Sequence, residues 1–217
     1  MQTNDFLPFI GVFEKHVKEL EATEHKEGDE TFETIRHIKF LLELVKKEHA
    51  GKLTALASLL SEKQISFDYI WGVFTPGSIL LTHCDTTGEP LLLRLRTCTL
   101  QEGWSTYWHL DCECVDVSGG LPGLSDFSLQ IQQFAGAESI MDLPAFPIHP
   151  WLEESRRKEL CQSLVQRGKR TWELTQSWCH KDYDGVATHQ GRRLAIKSRI
   201  MLDRGTSLSV EVVTFKL

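Results

Sequence analysis

The hydrophobic period of this chain changes part-way along it, and that change restricts the fold more than any other feature. From Thr31 onward, Phe32, Ile35, Ile38, Leu42, Val45, His49, Leu53, Leu56 and Leu60 recur at three- and four-residue steps, the period of an amphipathic helix. Further on, Leu91, Leu93, Leu95 and Thr97 alternate with Leu92, Arg94, Arg96 and Cys98, and Trp104, Thr106, Trp108, Leu110, Cys112 and Cys114 alternate with Ser105, Tyr107, His109, Asp111 and Glu113. Period two belongs to strands with one wet and one dry side. The combination predicts an α+β fold: a mostly antiparallel, bent sheet packed by one long helix in the C-terminal half, with a helical region before it.

The punctuation refines this outline. The charged stretch 14–30 reads as a solvated helix end and a link, which makes residues 1–30 a loosely attached segment, 31–64 a helical region and 65–217 the α+β domain. Gly51 is placed to split the first helical pattern. Asp68 is placed to cap a short helix carrying Tyr69, Trp71, Val73 and Phe74, which Thr75-Pro76-Gly77 then ends. Val115 and Val117 fall on the polar phase, predicting a bulge or strand end near Cys114, and 118–123 reads as a turn. Phe127, Leu129 and Ile131 form a further strand. Pro144, Pro147 and Pro150 predict an extended connection outside any sheet. Residues 151–178 read as the second major helix, in which Gly168 marks a close helix-to-sheet contact. Tyr183 to Asp203 reads as two strands around Gln190-Gly191-Arg192, and Leu208 to Phe215 as one more.

With 217 residues and 41% hydrophobic content, the chain can bury a sizeable core. Its net charge of -6 argues against nucleic acid as a partner, because a phosphate-backbone binder needs a concentrated positive field. No run approaches the roughly 20 apolar residues of a spanning helix, and no positive-then-apolar leader opens the chain. The expected location is intracellular, cytoplasmic or nuclear, with no membrane partner. The six cysteines are accordingly read as reduced thiols.

Several residue groups bear on chemistry. Cys112 and Cys114 with His109 nearby form the best metal candidate, but residues two apart on a strand share a face while His109 points away. His109, Asp111 and Glu113 share the other face and offer an alternative reading as a small enzyme or cation-binding protein, although a solvated strand face produces the same alternation. No Gly-x-Ser-x-Gly elbow or cysteine at a helix start is visible, and His149 between Pro147 and Pro150 reads as a turn residue. Arg156, Arg157, Lys158, Arg167, Lys169 and Arg170 form the densest basic stretch, balanced by Glu153, Glu154, Glu159 and Glu173. No catalytic, cofactor or metal residue is therefore expected. The candidate partner-binding residues are Arg167, Lys169, Arg170, Trp71 and Phe74.

A set of landmarks runs in order through the chain: Ile65-Ser66-Phe67 to Gly77, Phe134 to Pro147, Arg167-Gly168, Tyr183-Asp184-Gly185 and Ser198 to Asp203. Their order and spacing resemble an uncharacterised domain that precedes the ATPase module in AAA+ family ATPases of filamentous fungi. The likeness covers roughly residues 40–203, with Ile70, Ser198 and Ile200 as conservative departures. The resemblance implies a non-catalytic accessory or recognition domain whose partner is a protein or substrate of an AAA+ assembly. No Gly-x-x-x-x-Gly-Lys followed by Ser or Thr occurs, so ATP hydrolysis by a Walker A loop is not expected of this chain. A full-length relative would be an ATPase, and the chain is read either as a stand-alone relative or as a fragment of a longer ATP-hydrolysing protein. The oligomeric state stays open.

Overall fold

A computed structural model describes residues 3–22, 30–85, 87–118, 121–175, 179–189 and 192–202. Helices come first: a 3-10 helix at Thr3–Phe9, then α1 (Ile10–Glu21), α2 (Glu30–Glu48) and α3 (Ala50–Ser61). A short strand β1 (Gln64–Ser66) and a 3-10 helix (Phe67–Gly72) lead into β2 (Ile79–His83), β3 (Pro90–Gln101), β4 (Tyr107–Ser118) and β5 (Leu121–Gln132). After β6 (Ala137–Ser139) and β7 (Ala145–Pro147), α4 (Ile148–Trp151) and α5 (Glu154–Thr175) precede the hairpin β8 (Cys179–His189) and β9 (Arg192–Leu202). The α+β expectation holds, with an N-terminal helical region and a five-stranded antiparallel sheet ordered β5-β4-β3-β2-β7. By compactness the chain divides into two units. One comprises Met1–Ser78, Leu95–Cys112 and Ser128–Pro147, the other Ile79–Arg94, Glu113–Phe127 and Ile148–Leu217.

In the first unit the helical period places Ile35, Leu42 and Val45 of α2 and Leu56 of α3 in the interior. The break between α2 and α3 falls at His49 (φ -108°, ψ 22°), two residues before Gly51, which lies within α3. Residues 3–21 contribute Leu7 and Val17 to the buried set, and α1 is tied to α2 by Lys39 to Glu21 and Lys46 to Glu14, both 2.5 Å. Ser66, not Asp68, stands at the N-cap of the 3-10 helix, and its side chain makes no capping bond. Asp68 sits inside the first turn, where a carboxylate complements the free amides without capping them. Gly72 lies close to α3, where a Cβ would lie 2.4 Å from Leu56 Cδ2. The following Thr75-Pro76-Gly77 turn stitches onto β3: the Gly77 amide donates to Leu95 O (2.8 Å) and the Leu95 amide to Ser78 O (3.0 Å).

Two of the sequence landmarks meet in one aromatic cluster. Phe67 stands edge-on to Phe134 with centroids 5.9 Å apart, and the buried Trp108 lies 6.3 Å from Phe67 and donates its indole N–H to Phe67 O at 2.9 Å. Strand β1 pairs antiparallel with β6, Ile65 opposite Glu138, so the same two landmarks are also joined through the backbone.

The strands depart from the expected phases in three places. Trp104 is not in a strand, because β4 begins at Tyr107. On β3, Arg96 and Thr97 are both exposed and Cys98 is half-buried, so the inward phase of Leu93 and Leu95 shifts by one residue. Near Cys114, by contrast, β4 continues to Ser118 and Val115 is exposed. Pro122 and Gly123 belong to β5, not to a turn, and Pro147 is a buried strand residue ending β7. Both prolines lie on outer strands of the sheet, where a missing N–H leaves no ladder bond unmade on the open side.

In the second unit, β2 pairs with β3 in register Ile79↔Arg94 through His83↔Pro90. Most of the expected helix 151–178 is the single helix α5, preceded by a separate short helix. The short α4, containing the cis peptide His149-Pro150, ends at Trp151, and α5 starts at Glu154. Gly168 of α5 is exposed and a Cβ on it would meet nothing within 4 Å, so no close contact with a sheet requires that glycine. Hairpin β8–β9 runs in register from Cys179↔Leu202 to His189↔Arg192, the two strands the sequence predicts, with the first starting four residues before Tyr183. Trp178, Asp203 and the expected strand 208–215 lie outside the described residues.

Candidate interaction surface

Of the residues read as partner-binding, Trp71 and Phe74 belong to the interior. Trp71 is 9% exposed and Phe74, two residues beyond the 3-10 helix, is fully buried. Their aromatic character serves packing, and neither offers a surface to a partner. Arg167 is half-buried and already engaged: its guanidinium donates to Pro90 O at 2.7 Å and lies 3.8 Å from Glu89. It clamps α5 onto the start of β3 within the second unit. Lys169 and Arg170 are exposed on the same helix. The basic stretch is also balanced locally, Lys158 pairing with Glu154 at 2.6 Å one turn back.

The acidic strand face is likewise committed. Asp111 accepts from Arg96 at 3.0 Å in the first unit, and Glu113 accepts from Arg94 in the second. Each is a cross-strand pair between β4 and β3, the arrangement that neutralises a wet sheet face. Among the described residues, no three His, Cys, Asp or Glu side chains gather as a metal site.

Two thiols of the sheet are held in the neutral form. Cys112 is buried, and burial, followed by the neighbouring Cys112, pushes the Cys98 thiol up from 9.0 to about 12. Cys114 is also raised, first by burial and then by Asp116. A nucleophilic cysteine requires the opposite shift. The Tyr183-Asp184-Gly185 element also has a local explanation. The Tyr183 ring lies over Gly185, where a Cβ would come within 2.9 Å of the hydroxyl, and that hydroxyl donates to Val186 O at 2.8 Å.

Trp104 has no such account. In the turn between β3 and β4 it is fully exposed, and Leu100 at the end of β3 is 41% exposed. The alternating pattern hid this residue by assigning it the dry phase shared with Trp108. The signal that separates them is Glu102-Gly103, a turn dipeptide that ends the strand before Trp104.

A family profile described as a domain of unknown function, DUF7025, matches residues 55–151. That span runs from α3 through α4 and contains the first two landmarks, the buried aromatic cluster and Trp104. No curated protein and no solved structure matches the chain.

Proposed function

We propose that this chain is a non-catalytic recognition module that docks a protein partner through the β3–β4 turn, and that the partner belongs to an AAA+ assembly. The observation that carries the docking role is the full exposure of Trp104. A tryptophan left entirely in water forgoes the burial that stabilises a fold, and this side chain is among those most enriched at the energetic centres of interfaces. The AAA+ assignment is supported by the ordered landmarks that resemble the domain preceding the motor in fungal AAA+ ATPases. The engagement of Arg94, Arg96, Asp111, Glu113 and Arg167 in contacts within the chain supports a structural use for the groups that chemistry would otherwise employ.

Affinity purification from the source cell, with wild-type chain and Trp104→Ala in parallel, tests both parts. The expected result is an AAA+ ATPase or its substrate recovered with the wild type and lost with the variant. Recovery of no AAA+ component contradicts the assignment of the partner. Equal recovery with Trp104→Ala contradicts the docking surface.

A further inference from the structure

We propose that the outward ridge of α2 is a self-association surface that takes a second copy of this chain in antiparallel orientation. Helix α2 has two sides of different character. One is buried through Ile35, Leu42 and Val45 and held to α1 through Lys39 and Lys46. The opposite side carries Phe40, 67% exposed, and Leu44, 45% exposed. These two are four residues apart, and continuing the same step in each direction gives Arg36 and Glu48, both exposed. The ridge therefore reads basic, apolar, apolar, acidic over about 18 Å of helix.

That order is self-complementary. When two copies are related by a two-fold axis between Phe40 and Leu44, each Arg36 comes beside Glu48 of the second copy, and each Phe40 beside Leu44. Two i±4 ridges lying side by side form the commonest class of helix crossing, with axes inclined by about 50°. A two-fold contact uses the same patch on both molecules, so an apolar pair bracketed by opposite charges suits a second copy better than an unrelated partner. The present neighbour of Arg36, Glu33 at 3.4 Å, is an exposed pair one turn back that a facing carboxylate can replace. His37 and Lys47 flank the ridge and leave its two apolar positions uncovered. A two-helix contact is small beside the roughly 1,200 Å² of a stable interface, so the dimer is weak and depends on concentration.

Sedimentation equilibrium of the purified full chain over about a hundredfold concentration range tests the proposal. The wild-type mass is expected to rise from 24.8 kDa toward twice that value. Arg36→Glu and Glu48→Arg are each expected to weaken association about tenfold, by placing like charges together, and their combination to return it to within about threefold of wild type. Phe40→Glu is expected to abolish association, with helix content by circular dichroism unchanged because Phe40 is exposed. A mass that stays monomeric at every concentration overturns the proposal. So does a double charge reversal that associates no better than the single variants, a result that does not depend on how Phe40→Glu folds.

Discussion

Trp108 and Trp104 are four residues apart, one buried and the other fully exposed. Trp108 fills the aromatic cluster and donates to the carbonyl of Phe67, so Trp108→Phe removes that buried hydrogen bond and part of the ring volume. That change is expected to destabilise the fold by about 1–3 kcal/mol, read as a lower urea midpoint with unchanged slope. Cys98 gives a prediction in pH. Its folded pKa lies above the unfolded value, so the neutral thiol is favoured in the native state, and its contribution is fully present below pH 9.0. As pH rises from 9.0 toward about 12, the unfolded chain releases this proton while the folded chain keeps it. The folding constant is then expected to fall about tenfold per pH unit from this group, and Cys98→Ala is expected to remove that part of the alkaline slope in urea titrations. An unchanged slope in the variant contradicts the assignment. Neither placement was legible from residue type. The strand period put both tryptophans on one phase, and only the turn before Tyr107 separates them.

Elements were legible where one period ran uninterrupted. Helix α2 and the hairpin β8–β9 sit where the spacing placed them, because each is long enough for its periodicity to outweigh single residues. Reading failed where proline and glycine were given their average meaning. Pro147 was assigned to a connection and ends a strand, since an outer strand lacks neighbours on one side and asks less of each N–H. Gly168 was assigned to a close contact and has open space around it. In that position it only weakens the interior of α5, so Gly168→Ala is expected to stabilise the protein by about 0.5–1 kcal/mol, measured as a raised urea midpoint. Destabilisation by that substitution would restore the close-contact reading. The phase shift on β3 left no mark in composition, because Arg96, Thr97 and Cys98 each suit either side of a strand.

For the whole molecule, the α+β class followed from the change of period, while the proposed docking surface did not. Among the residues most prominent in sequence, Phe67 and Trp71, Tyr183 and Arg167 are occupied with packing and hydrogen bonds within the chain. Conspicuous spacing marks backbone requirements, whereas a docking residue needs only to be left exposed, which spacing does not encode. We thus propose a separation: the landmark residues maintain the shape, and Trp104 reads the partner. A binding titration of the recovered partner against Trp104→Ala, with the variant's urea unfolding followed in parallel, tests that separation most directly. The predicted result is a loss of at least about 2 kcal/mol in binding with stability within about 0.5 kcal/mol of wild type. Undiminished affinity in the variant, or a loss of affinity matched by an equal loss of stability, would contradict it.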